Sequence, residues 1–276
     1  MIAGLDIGAS TTKGVILDDL IVVHRCSVQT EKAVSSASKA LQDLLVKIGD
    51  KNAINLVAVS GGGSRKIGDT LLGLPVKKVD EIQAIGQGGL LLTNKRNGLV
   101  VSIGTGTAIV TAYEGGTVVS HVGGTGVGGG TLLGLSKRIL GVDDFSVLED
   151  MVLRGNPNNV DLTVADIVGG AVGIVPGEAT ASNFGRLNGV ATEDDVAAGV
   201  FNMVCQVIGV LTGMAAKAYR LEDDVILVGR LVRSKVVSGI IDKTIKLLGV
   251  RARIPRDCEF CTAVGAAGYV LLANQA

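Results

Sequence analysis

The sequence predicts an α/β protein built from two similar domains that face each other. The main observation is a repeated layout, in which strand, glycine-rich turn, strand, tight turn and strand occur in residues 2–28 and again in residues 99–122. A second observation is the helical spacing of apolar residues after the first copy, in residues 31–48, and through much of residues 129–274. We therefore divide the chain into domains 1–98 and 99–276.

Composition limits the class of protein. The chain has 276 residues, of which 47% are hydrophobic and 19% are charged, as is typical of a globular protein. Lys plus Arg and Asp plus Glu each number 26, so the net charge gives no sign of a nucleic-acid-binding protein. The four cysteines are too few and too scattered for a secreted disulfide framework. Because the N-terminus lacks a basic segment, we expect no signal peptide and a cytoplasmic protein.

In the first domain, short apolar runs bounded by turn residues predict strands, and apolar residues three or four positions apart predict helices. The predicted strands are residues 2–7, 12–17, 20–28 and 55–60, and the predicted helices are residues 31–48 and 80–92.

The second domain repeats the three opening strands and then becomes mostly helical. Its predicted strands are residues 99–103, 107–113, 117–122, 224–228 and 252–254. Its predicted helices are residues 129–140, 146–154, 163–168, 193–220, 234–248 and 262–274.

One of these helices contains an uncharged run, residues 196–216, that is long enough to span a bilayer. We favour a buried helix, because Asn202, Gln206 and Thr212 interrupt the run and presumed ligand motifs lie on both sides of it. Gly209 and Gly213 form a G-x-x-x-G pair, which suits close helix packing in a core or in a dimer interface.

The first glycine-rich turn has the composition of a phosphate site. Gly8 allows backbone N–H groups to point at an anion, and Ser10 and Thr11 add hydroxyl donors. Lys13 offers a positive charge, and Asp6, at a strand end, could hold Mg²⁺ directly or through water. The alternative is a β-hairpin with a merely polar turn.

The second turn strengthens the phosphate interpretation, because Gly104, Thr105, Gly106 and Thr107 repeat the same donors at the same place between strands. Two facing hairpins of this kind could clamp a nucleotide triphosphate. A third glycine-rich run, residues 122–131, leads into a helix and suits either a nucleotide site or close helix packing. It is not a Walker A motif, since no Gly-Lys-Ser/Thr follows it.

The motifs together resemble the superfamily of sugar kinases, actin and heat-shock chaperone ATPases, and within it the type II pantothenate kinases. The resemblance runs nearly end to end and rests on "DIGASTTK", "IGTGTA", "HVGGTGVGGGTLLGL", "VDLTVADI", "PGEATASNFG" and "VILVGRLVRS". It implies two facing ribonuclease H-like, actin-like ATPase domains with mixed sheets flanked by helices. It also implies dimerisation helices in the second domain and a C-terminal helix that packs back on the first.

The resemblance assigns roles to individual residues, with ATP and Mg²⁺ as cofactors. The phosphate motifs comprise Asp6, which is also the metal ligand, and Gly8, Ser10, Thr11, Lys13, Gly104, Thr105, Gly106 and Thr107. Other nucleotide contacts are Gly128, Gly129, Thr131, Gly229 and Arg230. Glu81, in "VDEIQAIGQGGLLL", matches the catalytic glutamate that accepts the proton of the substrate hydroxyl. The alternative for Glu81 is a helix N-terminal charge that favours the dipole.

The expected substrate positions are Ala108, His121, Gly123 and Thr125. Two of them depart from the family pattern, which has serine at position 108 and, at position 121, an arginine that reaches the substrate. A histidine cannot grip a carboxylate bidentately as arginine does. The substrate expected from the resemblance is therefore pantothenate or a closely related alcohol.

Two other functions compete with the kinase interpretation. The superfamily includes ATP-driven activators of 2-hydroxyacyl-CoA dehydratases, which hold an iron–sulfur cluster between subunits through cysteines in the middle of the chain. This sequence has only a C-x-x-C pair, Cys258 and Cys261, near its end, and small core cysteines are the alternative. A non-catalytic nucleotide-binding regulator is the third possibility. We expect a homodimer with residues 196–216 in or near the interface, and neither a nucleic-acid nor a membrane partner.

Overall fold

The computed structural model describes residues 1–49, 53–187 and 189–273 of the chain. Its first sheet has six strands in the order β3-β2-β1-β4-β6-β5. These strands are β1 (Ile2–Ile7), β2 (Thr11–Asp18), β3 (Ile21–Gln29), β4 (Leu56–Ser60), β5 (Thr70–Leu71) and β6 (Leu74–Lys78). The four strands predicted for this domain are confirmed. β5 and β6 were not predicted, since they are short and β6 carries a proline and two lysines that give no apolar run.

The second sheet has five strands in the order β9-β8-β7-β12-β13, and a two-stranded sheet pairs β10 with β11. The strands of this half are β7 (Gly98–Ile103), β8 (Thr107–Tyr113), β9 (Val118–Thr125), β10 (Leu162–Thr163), β11 (Thr180–Ser182), β12 (Val225–Val228) and β13 (Ala252–Arg253). Strand for strand, β9-β8-β7-β12-β13 has the order of β3-β2-β1-β4-β6. The repeat seen in the sequence therefore extends beyond the hairpins to all five strands of each unit.

The predicted helices are confirmed within a few residues at each end, while the predicted helix end at position 274 lies outside the described residues. The helices are α1 (Ala33–Ile48), α2 (Glu81–Thr93), α3 (Gly129–Leu140), α4 (Phe145–Arg154), α5 (Val164–Val168), α6 (Glu193–Tyr219), α7 (Lys235–Leu247) and α8 (Cys261–Ala273). Both main sheets are mixed and have helices packed on their faces.

Helices α2 and α8 cross between the two sheets. α8, from the end of the chain, packs on β1 and β4 of the first sheet, whereas α2 packs on β7, β8 and β9 of the second. The two helices also pack against each other at glycines. A Cβ on Gly265 would overlap the carbonyl oxygen of Ala84, and a Cβ on Gly88 would overlap that of Cys261. The helix backbones therefore touch, which ties the two halves of the molecule together.

Helix α6 is the long apolar helix of the sequence. By length and composition it could cross a membrane, yet 61% of its most apolar window is buried inside the protein. Its G-x-x-x-G pair is used within the chain, because Gly209 packs on Thr244 and Gly213 on Leu248 beside α7. The neighbouring positions Val210 and Met214 are exposed.

The polar residues of α6 hold a neighbouring segment, residues 161–184, against the helix. Asp161 is fully buried and accepts hydrogen bonds from the backbone N–H of Phe184 at 2.7 Å and from the amide of Asn202 at 2.7 Å. The amides of Asn202 and Gln206 also donate to the hydroxyl of Thr180, at 3.0 and 2.9 Å. Because buried polar groups are costly unless paired, this network accounts for the polar positions of an otherwise apolar helix.

We predict that Gly265→Ala in α8 destabilises the protein by about 1–3 kcal/mol, because the new methyl group meets backbone that cannot yield without moving α2. The matched control is Gly134→Ala in α3, where a Cβ would meet nothing within 4 Å. This control should be stabilising by up to about 1 kcal/mol, from helix propensity alone. Urea unfolding of both variants tests the contact, and equal free energies of unfolding would contradict it.

Candidate active site

The candidate site begins where β1 and β4 end. These strands are parallel, so their carboxyl ends meet at one edge of the sheet, where Asp6 lies directly beside Ser60. On the other side of β1, Asp6 is paired with Lys13 of β2. The chain then turns sharply after Ser60, and a Cβ on Gly61 would lie 2.5 Å from the Oδ1 atom of Asp6.

Two nearby charged side chains influence the pKa of Asp6. Burial raises the pKa of its carboxyl to about 6, while the nearby ammonium of Lys13 lowers it and the carboxylate of Glu81 raises it. Asp6, Lys13 and Glu81 come from three different elements, and the fold thus brings them within range of one another. These are three of the residues to which the sequence assigned chemistry.

Glu81 is the first residue of α2. The preceding residue, Asp80, caps the helix, since its Oδ1 accepts from the backbone N–H groups of Ile82 at 2.9 Å and Gln83 at 3.2 Å. Desolvation and the charge of Asp80 raise the pKa of Glu81. The Glu81 side chain remains exposed to solvent, so a ligand can reach it.

The first predicted phosphate turn is a tight hairpin. The N–H of Gly8 donates to the carbonyl of Thr11 at 3.2 Å, and Ser10 stands exposed at the tip. Thr12 is buried instead, and its hydroxyl is hydrogen-bonded to that of Thr30 at 2.8 Å. The exposed tip leaves the Ser10 hydroxyl open to a ligand.

The second turn and the third glycine-rich run form one unit. The N–H of Gly104 donates to the carbonyl of Gly106, the N–H of Gly129 to that of Gly104, and the N–H of Gly130 to that of Thr105, each at 2.9 Å. The start of α3 is thus fastened to the turn. These amides are engaged within the protein, which gives the glycines of this run a packing role.

Two threonines of this unit also make internal hydrogen bonds. The hydroxyl of Thr107 donates to the carbonyl of Val127 at 2.9 Å, and that of Thr131 donates to the carbonyl of Gly126 at 3.1 Å. The N–H of Gly128 donates in turn to the Thr131 hydroxyl at 3.3 Å. Nucleotide contacts by Gly128, Gly129 and Thr131 stay predictions.

The adenosine loop predicted at Gly229 and Arg230 follows β12. Gly229 has φ +105°, and a Cβ there would overlap the carbonyl oxygen of Ile103 at the end of β7. Its counterpart in the first sheet is Gly61, with φ +82°, which follows β4 and packs against the end of β1. Both positions need glycine, because the conformation and the close approach exclude a side chain. The exposed Arg230 lies beside this loop.

Sequence reasoning assigned no function to residues 60–63, although the fold puts them against Asp6. The hydroxyl oxygen of Ser60 is buried and has no hydrogen-bond partner among the described residues. The available signal was three consecutive glycines directly after a predicted strand, a pattern that again allows close approach of backbone.

The predicted substrate positions separate into two faces of the second sheet. A bulge at Val122 pairs His121 with Val110, and since Ala108 is two residues from Val110, Ala108 and His121 share a face. α2 packs on this face, where Gly86 meets Val119. Thr125 is paired with Thr107 and points to the opposite face, where its hydroxyl accepts from the N–H of Val127 at 3.1 Å.

Gly123 is paired with Ile109, so it too belongs to the face of Thr125 and not to that of Ala108 and His121. The fold therefore brings together two of the four predicted substrate residues, on the side that α2 covers.

The C-x-x-C pair is internal. Cys258 and Cys261 are each 2% exposed, and the thiol of Cys261 donates to the carbonyl of Ile85 at 3.6 Å. Burial raises the pKa of both thiols. Within the described ranges, no group of three or more His, Cys, Asp or Glu side chains could hold a metal ion.

The solved structures similar to this chain agree with it in fold. An activator of 2-hydroxyisocaproyl-CoA dehydratase from Clostridium difficile with bound ADPNP superposes with a TM-score of 0.70 at 20% identity, covering 99% of this chain and 95% of that one. A ROK hexokinase from Thermus thermophilus superposes with a TM-score of 0.61 at 14% identity, covering 98% and 99%. The predicted actin-like ATPase fold, with two mixed sheets flanked by helices, is confirmed.

Two proteins with sequences similar to this chain are type II pantothenate kinases. A type II pantothenate kinase of Bacillus cereus is 28% identical over 275 residues, which is 96% of each chain. A type II pantothenate kinase of Staphylococcus aureus is 27% identical over 81% of this chain and 86% of that protein. The Fumble family model matches residues 97–266, which is more than half of the chain. The chain therefore belongs to the Fumble family, that of the type II pantothenate kinases.

Proposed function

We propose that this kinase transfers the γ-phosphoryl group of ATP to the hydroxyl of pantothenate, or of a closely related alcohol, as the first step of coenzyme A biosynthesis. The observation that carries the proposal is the meeting of Asp6, Lys13 and Glu81 at one sheet edge. A phosphotransferase needs a charge-neutralising group for the phosphates and a base for the attacking hydroxyl. The full-length similarity to type II pantothenate kinases supports this choice of substrate.

Glu81 is the proposed general base. Its carboxylate would accept the proton of the substrate hydroxyl as the oxygen attacks the γ-phosphorus. The raised pKa suits this role, because a base works best when its pKa approaches the working pH. Its place as the first residue of α2, with Asp80 as the helix cap, holds the carboxylate close to Asp6.

The residues fit a magnesium ion that is brought in with the nucleotide. Mg²⁺ in kinases is bound by one or two carboxylates together with substrate phosphates and water, not by a protein cage. Asp6 is such a carboxylate, and burial raises its pKa although the ammonium of Lys13 lowers it. Asp6 would hold the ion, which neutralises phosphate charge when bound. Lys13 supplies further positive charge from the neighbouring strand.

The remaining nucleotide contacts are proposed for the three loops around this edge. Gly8, Ser10 and Thr11 would contact phosphates from the first hairpin, and the turn at residues 104–107 would do so from the second. Gly128, Gly129 and Thr131 would flank the nucleotide, while Gly229 and Arg230 would line the adenosine. The exposed tip of the first hairpin and the exposed Arg230 side chain support these assignments.

The dehydratase-activator alternative has less support from the site. An iron–sulfur cluster shared between subunits needs thiolates at a surface. Cys258 and Cys261 are both buried, and burial raises the pKa of both thiols. Similarity to activator structures at 20% identity extends to the fold alone.

We also propose a cytoplasmic homodimer in which α6 lies at the interface, and we keep the division into domains 1–98 and 99–276. Val210 and Met214 lie one helical turn apart on the side of α6 that α7 leaves uncovered, and they are 43% and 62% exposed. The division is supported by the two main sheets. All strands of the first sheet end before residue 98, and all strands of the second begin at or after it.

Glu81→Gln should lower kcat with pantothenate by about 100- to 10,000-fold, because the base is lost while the phosphate contacts remain. ATP binding should be unchanged. ADP release measures kcat, and titration with nucleotide measures the affinity for ATP. Glu193→Gln is the matched control, since Glu193 is also the first residue of a helix behind a capping side chain. Unchanged turnover in Glu81→Gln would reject the base. ATP binding by the wild type without turnover on pantothenate or pantetheine would reject the substrate.

Asp6→Asn should stabilise the protein above pH 7 while abolishing activity. The folded-state pKa of about 6 exceeds the ordinary value of 3.8, so the folded state holds its proton more tightly and stability falls as pH rises through this window. A pKa difference of this size lowers the free energy of unfolding by roughly 3 kcal/mol once Asp6 is ionised. Thermal unfolding without nucleotide should show a higher Tm for Asp6→Asn at pH 8 and little difference near pH 4. A lower Tm at pH 8 would contradict the pKa.

The wild-type activity should itself fall below about pH 6, where Asp6 gains a proton and no longer binds a metal ion. A pH profile of kcat/KM for Mg-ATP, measured at saturating pantothenate, checks this expectation because it reports the nucleotide-free enzyme. A kcat/KM that stays constant down to pH 5 would show that catalysis does not need the Asp6 carboxylate.

The double variant Val210→Glu with Met214→Glu should convert the proposed dimer into a monomer of 28.1 kDa, because it places charges in an apolar contact. Light scattering measures the mass directly. Val46→Glu on α1, where the valine is 81% exposed, is the control and should leave the mass unchanged. A wild-type mass equal to that of one chain would reject the dimer.

A further inference from the structure

We propose that Ser60 is a positioning residue for the magnesium ion that arrives with ATP: its hydroxyl donates a hydrogen bond to the Asp6 carboxylate and holds that carboxylate in the orientation that binds the ion. This inference rests on the proposed function, in which Asp6 would hold the ion, and it adds a residue of β4 to that site. Ser60 touches neither nucleotide nor acceptor and acts through Asp6.

Ser60 and Asp6 lie side by side on one face of the first sheet. They are register partners in the parallel pair of β4 and β1, and such partners lie about 4.8 Å apart with their side chains on the same face. This is the face that α8 covers. A Cβ on Gly4, two residues before Asp6, would overlap the carbonyl oxygen of Ala263, and Ala58, two residues before Ser60, belongs to the apolar cluster that contains Ala263.

One oxygen of the Asp6 carboxylate lies against the end of β4. A Cβ on Gly61, the residue directly after Ser60, would lie 2.5 Å from the Oδ1 atom of Asp6. On the other flank, no salt bridge joins Asp6 to Lys13 among the described residues. The carboxylate therefore lies next to the backbone that carries the Ser60 side chain, and no ion pair fixes it elsewhere.

The Ser60 hydroxyl is free to donate. Its oxygen is buried without a hydrogen-bond partner in the part of the chain that the structure describes, and the residue is 0% exposed. A buried hydroxyl that lacks a partner costs stability, whereas an ionised carboxylate only accepts hydrogen bonds. Because serine changes rotamer about a single bond, its hydroxyl can turn to Asp6 without breaking another hydrogen bond.

The difference in exposure between the two residues fixes their roles. Asp6 keeps part of its surface, whereas Ser60 has none, so an ion can reach the carboxylate but not the hydroxyl behind it. Carboxylates that bind metals are commonly oriented by a hydrogen bond from a neighbouring group, and loss of that group lowers metal affinity or activity by about 10- to 100-fold. Ser60 is placed to be such a group for Asp6.

The test compares the affinity for a non-hydrolysable ATP analogue with Mg²⁺ and with EDTA, by calorimetric titration. In Ser60→Ala we expect the affinity with Mg²⁺ to fall at least about tenfold and the affinity in EDTA to stay within about twofold of wild type. Ser60→Cys should show the same loss, because a thiol of nearly equal size is a weak donor. This second variant keeps the test independent of any folding defect in Ser60→Ala.

Ser136→Ala is the matched control. The Ser136 hydroxyl is likewise buried without a partner among the described residues, and the residue is also 0% exposed, but it lies on α3 in the other half of the molecule. Loss of this hydroxyl should leave the affinity for the analogue unchanged, with Mg²⁺ and in EDTA. A Mg²⁺-dependent loss in Ser136→Ala equal to that in Ser60→Ala would overturn the specific role of Ser60.

Turnover gives a second measurement. The Mg²⁺ concentration for half-maximal ADP release should rise about tenfold in Ser60→Ala, while kcat at saturating Mg²⁺ stays within about threefold of wild type. Ser60 variants that keep the wild-type gain in affinity from Mg²⁺ overturn the role of Ser60 alone. A wild type that binds the analogue equally with and without Mg²⁺ overturns the metal role of Asp6 as well. If the wild type binds Mg-ATP but does not phosphorylate pantothenate, the proposed function fails and the titrations still decide the role of Ser60.

Discussion

Contact between the backbones of α2 and α8 is the constraint on which the arrangement of the site depends. Each helix follows the last strand of one sheet's repeated unit and packs on the other sheet, so their contact joins the two halves. The approach requires glycine at Gly88 and Gly265, since a Cβ on either would overlap a carbonyl oxygen. Because Glu81 begins α2 and α8 packs on β1, the same contact helps to set the distance between the proposed base and Asp6 of β1.

Asp6 shows how a site of this kind costs stability. The carboxyl is enclosed by the ends of β1 and β4 and by Gly61, and one ammonium group, that of Lys13, offsets its charge. A carboxylate without full compensation destabilises the folded protein at neutral pH, and binding of a metal ion would relieve that cost. The unpartnered hydroxyl of Ser60 on the next strand adds to the same local deficit. Such deficits collect at functional sites because ligands complete them.

The two halves use the same glycine geometry for related purposes. Gly61 and Gly229 stand at equivalent points after β4 and β12, both with positive φ, and each presses on the strand that opens its unit. The halves differ in what surrounds this turn. The second half adds Gly129 and Gly130, whose N–H groups donate to the carbonyls of Gly104 and Thr105 in the turn. In the first half, Gly63 packs against the side chain of Ile7.

The sequence alone determined the fold class, most strands and helices, and the two glycine-rich hairpins, because period-two and helical patterns and glycine-rich turns are local features. The roles predicted for Asp6 and Lys13 came from one short motif, whereas the role predicted for Glu81 came from the family resemblance. The tertiary structure decided which amides stay free, since Gly129 and Gly130 prove to be bonded to the second turn. It also decided that Thr125 faces away from Ala108 and His121, because one bulge residue changes the register of β9. The cavity at the start of α2 brings Val119 of β9 and Tyr269 of α8 next to residues 77–83, and no local pattern encodes a meeting of residues so distant in sequence.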